Sequence, residues 1–212
     1  MRFKDKFTIL YNLLVILLFT SLPAKAEPIN IVAFGDSLMA GYQLPQGEAY
    51  PLKLADALTA KGYDIIMSNA SVSGDTTSGG LSRLDWSIPD GTDAVILGLG
   101  ANDALRGLPA DITRKNIDKM IARLKERNID VILMGMLAPP NMGSDYEAAF
   151  NPIYPEIAEK YQVNRYPFFL DGVAGVEALN IEDGIHPNPE GIALLVERTL
   201  PSVEDFLRSI TD

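Results

Sequence analysis

Cysteine is absent from the 212-residue chain, and histidine and tryptophan each occur once, as His186 and Trp86. Without a thiol there can be no cysteine nucleophile, no cysteine-based zinc site and no disulfide framework. A single imidazole excludes any site built on two. Positive charge is also scarce, with 18 Lys and Arg against 28 Asp and Glu and a formal net charge of −10. A surface of that sign repels phosphate backbones and anionic lipid heads, which argues against nucleic acid as a partner and against a peripheral membrane habit. The apolar stretch Ile9 to Phe19 is only eleven residues long, well short of the roughly 20 that a membrane-spanning helix needs.

What is present at the start of the chain reads as an export signal. Arg2, Lys4 and Lys6 precede the apolar stretch, and Ala24-Lys25-Ala26 supplies a small-x-small cleavage pattern, so cleavage after Ala26 is expected. The first 26 residues hold four basic groups and one acidic one; the remaining chain carries 14 basic and 27 acidic residues, net −13. A periplasmic or secreted protein of one domain, residues 27–212, is expected, with no membrane span after signal removal and a monomeric state. Lacking disulfides, it must be stabilised by its core alone, for which this length suffices.

Apolar runs at Ile29 to Phe34, Ile65 to Met67, Ala94 to Leu97, Val131 to Leu137 and Tyr166 to Leu170 read as strands buried on both faces. Helical patterns lie between most of them: Tyr50 to Lys61 closed by Gly62, the segment after Asp111, and roughly Asp145 to Tyr161 with Pro152 and Pro155 starting, breaking or kinking it. A last helix begins near Gly191 and is expected to be interrupted at Pro201. The expected fold is α/β, a three-layer α/β/α sandwich on a five-stranded parallel sheet. In such sheets ligands bind beyond the carboxyl ends of the strands near a topological switch point, so informative residues should follow strands.

Four stretches meet that condition. Gly35-Asp36-Ser37-Leu38 follows the first run; a serine at a strand-to-helix turn exposes both hydroxyl and amide at the rim, though Asp36 or Ser37 can equally serve as a helix cap. Ser73-Gly74-Asp75-Thr76-Thr77 is by itself an ordinary loop in which the Gly74 N–H can face an oxyanion. Gly98-Leu99-Gly100-Ala101-Asn102-Asp103 hints at a dinucleotide fingerprint but has Asp103 where the third glycine belongs; Asn102 can donate to an oxyanion, cap a helix or hold a turn. In Asp183-Gly184-Ile185-His186-Pro187-Asn188, a carboxylate three residues before the imidazole can hold Nδ1–H and leave Nε2 as a base, while both dipeptides Asp-Gly and His-Pro also form plain turns. Together the four supply a nucleophile, a base, an orienting acid and oxyanion donors, each from a separate element.

These four blocks, with Leu105-Arg106-Gly107, Ile153-Tyr154-Pro155 and Pro167-Phe168-Phe169, resemble the SGNH hydrolases, also called GDSL esterases, in particular their periplasmic branch of arylesterases and multifunctional acyl-thioesterase/lysophospholipases. The resemblance runs from Ile31 to about Leu200 and implies the flavodoxin-like fold of that family. It implies Ser37 as nucleophile, His186 as general base then acid, Asp183 as the group orienting His186, and an oxyanion hole of the Ser37 N–H, the Gly74 N–H and the Asn102 side chain. Ala101 departs from the glycine found in many relatives. In the family the loop after the Asn moves on acyl binding; here that is Ala104 to Pro109, where Leu105, Leu108 and Pro109 either line an acyl groove or pack the loop. The Gly-x-Ser-x-Gly elbow of the larger α/β-hydrolase family is absent around Ser37.

The reading is thus a metal-free, cofactor-free serine esterase acting on small aryl or short-to-medium acyl esters, with thioesters and lysophospholipids as further substrates. Its rivals are a carbohydrate O-deacetylase built on the same site and a non-catalytic binding protein on the same fold. Asp75, Asp85 and Asp103 are read as solvated or helix-capping carboxylates rather than metal ligands. Trp86 is expected in core or rim packing, and Met134 and Met136 in the core.

Overall fold

Five parallel strands form one sheet in the order β2-β1-β3-β4-β5: β1 (Ile29–Gly35), β2 (Ile65–Asn69), β3 (Ala94–Gly98), β4 (Asp130–Met134) and β5 (Asn164–Tyr166). The computed structural model describes residues 27–211; the expected signal segment lies outside the described residues. All five residues of β3 are buried, as are the last five of β1 and the last four of β4, because helices cover both faces of these inner strands. The outer strand β2 has no fully buried residue and alternates in exposure.

The helices are α1 (Ser37–Ala40), α2 (Tyr50–Ala60), α3 (Thr77–Ser87), α4 (Ala101–Leu105), α5 (Ala110–Glu126), α6 (Ser144–Phe150), α7 (Ile153–Tyr161) and α8 (Pro189–Thr211). On α5 the buried Ile117, Met120, Ile121 and Leu124 recur at helical spacing and face the sheet. Helices α2 and α8 pack together in one layer, while α5 packs against both α3 and α7 in the other. The three-layer α/β/α architecture expected from the sequence is the observed one.

Three boundaries differ from expectation. Strand β4 stops at Met134 rather than Leu137, and β5 runs over Asn164–Tyr166 and shares only Tyr166 with the expected run, because Pro167 has no N–H to continue a ladder. Instead the chain folds over Gly135, whose N–H donates to Tyr166 O and whose carbonyl accepts from Phe169 N, both at 2.8 Å. The segment from Asp145 is broken at Pro152 into α6 and α7, as the prolines led one to expect. Helix α8, by contrast, runs through Pro201. A proline inside a helix costs about 3 kcal/mol, but Val203, Phe206 and Leu207 beyond it are almost fully buried, and each such side chain contributes about 1.5–3 kcal/mol. Burial therefore outweighs the missing hydrogen bond. Trp86 likewise departs from expectation: it stands 76% exposed on α3, whereas Met134 and Met136 are core residues as read.

The strand order reverses between β1 and β3. The chain leaves β1 toward β2 on one side and β3 toward β4 on the other, so a crevice opens where β1 and β3 end. Ser37 lies two residues beyond β1, and Asn102 four residues beyond β3.

Candidate active site

Asp36 follows β1 and caps α1: its fully buried carboxyl accepts the Leu38 N–H at 3.0 Å. The capping reading and the nucleophile reading therefore divide between two neighbours, since the hydroxyl of Ser37 is left for another partner. That partner is His186, whose Nε2 lies 2.8 Å from Ser37 Oγ. On the far side of the imidazole, Nδ1 lies 2.6 Å from Asp183 Oδ2. Asp183 Oδ1 meanwhile accepts the Ile185 and His186 amides at 2.9 and 3.0 Å, so one carboxylate both closes the turn and orients the ring. With Nδ1 donating to a carboxylate, Nε2 is the acceptor facing serine. Desolvation pushes the Asp183 carboxyl up, but the two amides and the imidazole together hold it below the usual carboxylate range.

The loop that presents His186 is tied down locally. Ile181 N donates to His186 O at 2.8 Å, and Asn188 Oδ1 accepts Gly191 N at 2.9 Å. Buried Asn180 donates to Val173 O and Val176 O, both at 2.8 Å. The Tyr42 ring packs against the imidazole with centroids 4.6 Å apart.

Asn102 is the second residue of α4, which starts after Gly100. That glycine has φ +117°, and a Cβ there would run into the Tyr154 hydroxyl, which donates to Leu99 O at 2.9 Å. Asn102 Nδ2 lies 3.4 Å from Asp36 Oδ2, and its Oδ1 accepts from Arg106 Nη2 at 3.3 Å. The same nitrogen donates to Gly74 O at 2.9 Å. Gly74 adopts φ +84°, a conformation that glycine takes without strain. Neither the Gly74 N–H nor the Ser37 N–H donates to a protein acceptor among the described residues.

The carboxylates that invited a metal reading are engaged with protein partners. Asp103, fully buried, accepts the Thr77 amide at 2.8 Å, the Thr77 hydroxyl at 2.6 Å and the Thr113 hydroxyl at 3.2 Å. It thereby ties the start of α3, just after Gly74, to α4 and α5. Asp75 pairs at 2.5 Å with Arg83, whose other nitrogens reach Gly35 O and Ala70 O and whose guanidinium sits 4.1 Å over the Phe34 ring. Asp85 pairs with Arg123 at 3.0 Å. Asp36 is the exceptional carboxyl: burial pushes it up to about 7, with the Leu38 amide and Asn102 pulling down and Asp103 and Asp75 adding to the rise.

Ser37, Asn102 and His186 open onto a cleft of about 640 Å³ with apolar walls that include Leu105, Leu137, Pro139, Phe168, Leu170 and Ile185. Of the three residues left open between groove lining and loop packing, Leu105 lines this cleft and Leu108 and Pro109 do not. Leu108 is held in the loop by its carbonyl, which accepts from Tyr146 Oη at 2.8 Å, and Pro109 caps α5. Gly74 is also outside the lining and reaches Asn102 through Arg106. Sequence reasoning named Arg106 only within Leu105-Arg106-Gly107 and gave it no role in the site, although its position four residues after Asn102 is the helical spacing at which side chains meet. The walls from Phe168, Leu170 and Ile185 gave no local signal, since they come together only through the loops. A more polar hollow of about 490 Å³ among Glu27, Asn30, Asp93 and Asp130 lies at the other ends of the strands and holds none of these residues.

With this geometry in view, comparison with known proteins is specific. The pattern of the GDSL-like lipase/acylhydrolase family matches residues 33–194. The chain is 41% identical over 188 residues to an arylesterase of Vibrio mimicus, covering 88% of this chain and 94% of that one. It is 35% identical over 189 residues to thioesterase 1/protease 1/lysophospholipase L1 of Escherichia coli (strain K12), covering 89% and 88%. Among solved structures, AlinE4, an SGNH-hydrolase family esterase, superposes with a TM-score of 0.72 at 44% identity, covering 86% of this chain and 98% of that one.

Proposed function

Because the chain belongs to the GDSL-like lipase/acylhydrolase family, we propose that it is an exported serine esterase that hydrolyses aryl and short-to-medium acyl esters, and also thioesters and lysophospholipids, through Ser37, His186 and Asp183. The chain is a carboxylic ester hydrolase, as its relatives are. The observation that carries the finer reading is the continuous line Asp183–His186–Ser37, with steps of 2.6 and 2.8 Å, at an apolar cleft.

In that reading Ser37 Oγ attacks the ester carbonyl carbon while His186 Nε2 takes the hydroxyl proton, and Asp183 stabilises the imidazolium that forms. The carbonyl π electrons move onto oxygen, where the Ser37 N–H, the Gly74 N–H and Asn102 Nδ2 receive the negative charge. Collapse of the tetrahedral species breaks the carbon–oxygen bond of the leaving alcohol, or the carbon–sulfur bond of a thiol, and His186 returns the proton to it. Water then repeats the sequence on the acyl-serine, releasing the carboxylic acid and restoring Ser37. The apolar walls favour an acyl or aryl group over a sugar. Residues 1–26 serve as a cleaved export signal on the strength of their sequence pattern, and no helix among the described residues is long and apolar enough to cross a membrane.

The test is hydrolysis of p-nitrophenyl esters from acetate to palmitate by the purified protein and its Ser37→Ala variant. Turnover abolished by the substitution, with activity extending to six carbons or more, supports the reading. Activity confined to acetate points instead to a deacetylase, and turnover that survives the substitution overturns the role of Ser37.

A further inference from the structure

Arg106 is exposed at the end of α4, yet one of its nitrogens binds two elements of the site at once: Gly74 O at 2.9 Å and Asn102 Oδ1 at 3.3 Å. We propose that Arg106 is a positioning residue of the oxyanion-binding donors, its guanidinium holding the Asn102 amide with the Nδ2 end toward the cleft and locking the Gly74 backbone beside it. The inference rests on the catalytic reading above and extends it to a residue that touches neither the nucleophile nor the base.

The oxygen and nitrogen ends of Asn102 have nearly the same shape, so what decides which end faces the cleft is the hydrogen-bonding character of the neighbours. A guanidinium has only donors; placed against Asn102 it selects Oδ1 and sends Nδ2 to the opposite side, where Asp36 lies. Asp36 cannot make that choice unaided. Its contact with Nδ2 is long at 3.4 Å, and burial brings its titration to about 7, so near neutrality it is partly an O–H donor that would tolerate the flipped amide.

Gly74 has φ +84°, which glycine adopts without steric penalty, and a Cβ added there would meet nothing nearer than Arg106 Nη2, at 3.8 Å. The bond from Arg106 to Gly74 O anchors the peptide that follows and, through it, the direction of the Gly74 N–H. Donors aimed in advance at the developing charge are what lower such barriers, and small misplacements are costly. The effect therefore belongs in kcat rather than in KM.

The experiment measures kcat and KM on a p-nitrophenyl ester for the wild type, Ser37→Ala, Asn102→Ala, Arg106→Ala, Arg106→Lys and the Asn102→Ala/Arg106→Ala double variant, with thermal melting as a check on folding. The expected result is a fall in kcat of about 10- to 100-fold for Arg106→Ala, below the loss for removing a donor outright, with KM within about threefold, partial recovery in Arg106→Lys, and an unchanged melting midpoint. In the Asn102→Ala background the same substitution should cost at least about fivefold less, since the amide it orients is gone. An unchanged kcat in Arg106→Ala, a change confined to KM, or full additivity with Asn102→Ala overturns the inference while leaving the catalytic reading intact. Should Arg106→Ala fail to fold, the Arg106→Lys variant decides by the same criteria. Full activity in Ser37→Ala, or no turnover by the wild type, instead overturns the catalytic reading and this inference with it.

Discussion

Ser37 and Asn102 stand just beyond the ends of buried strands, whereas His186 and Asp183 sit on the loop between Phe169 and α8, where Ile185 is 43% exposed and the Asp183 side chain 34%. On the Ser37 side Asp36, Asp103 and Thr77 are fully buried and bonded, and the sheet beneath them sets their positions. His186 is positioned by short-range bonds: Asp183 accepts from the amides of its own turn, and Asn180 and Asn188 donate to neighbouring carbonyls. The two halves meet at the 2.8 Å contact between His186 and Ser37 and at the Tyr42 ring packed on the imidazole. Rigidity on one side and local closure on the other suffice for alignment, and the two should respond differently to damage.

The largest expected effects lie on the line itself, where the halves are indistinguishable. Ser37→Ala and His186→Ala should each lower kcat by at least about 10⁴-fold, and Asp183→Asn by about 10³- to 10⁴-fold, since the wrong tautomer would then face serine; ester kinetics on correctly folded variants check this. Asn102→Ala should cost about 10²- to 10³-fold in kcat, and an unchanged kcat would remove it from the oxyanion site.

Stability should separate the halves. Asp103→Ala leaves the Thr77 amide and two hydroxyls without their acceptor and should destabilise by about 2–4 kcal/mol, measured by urea unfolding. Asn180→Ala, on the loop side, should cost about 1–2 kcal/mol but lower kcat by more than its stability loss explains, because it loosens the segment that carries His186. Equal effects of the two on stability, or no effect of Asn180→Ala on kcat, would erase the contrast.

A finer distinction comes from pH. Asp36 is raised from 3.8 to about 7 in the folded chain, so between those values the folded state keeps a proton that the unfolded state has lost. Its contribution to stability is therefore full below about pH 4 and is lost as pH rises to about 7. Asp183 has the opposite sign: its lowered value contributes stability above the ordinary carboxylate range that is lost on acidification. The wild type should accordingly lose stability relative to Asp36→Asn between pH 4 and pH 7, read as urea midpoints across that interval. A difference that does not vary with pH would show that Asp36 is ionised at neutrality.

Much of the fold was legible because its elements are short apolar runs separated by amphipathic helices, and β1, β3 and α5 carry that signal without interruption. Helices α1 and α4 showed only as cap candidates at Asp36, Ser37 and Asn102, and α3 left no signal. Two of them are four and five residues long, and α3 contains Gly79 and Gly80, which depress local propensity. Of the site, Ser37, Asn102, Asp183 and His186 could be read because each combines a reactive group with a turn or strand-end context. Arg106 reads in sequence as a solvated charge. The walls from Leu137, Phe168 and Leu170 are scattered along the chain, and no local pattern joins them.

What the sequence by itself determined was the set of chemical groups and the sheet that carries them, since hydrophobic periodicity and turn residues act over a few positions. Tertiary structure alone decided how those groups serve. It gave the helix cap to Asp36 and set the Ser37 hydroxyl against His186, lifted the Asp36 carboxyl by burial, carried α8 through Pro201 on the strength of buried side chains beyond it, and brought Arg106 onto Gly74. Each of these depends on the water excluded and the neighbours supplied by segments distant in the chain, and neither is a property of local sequence.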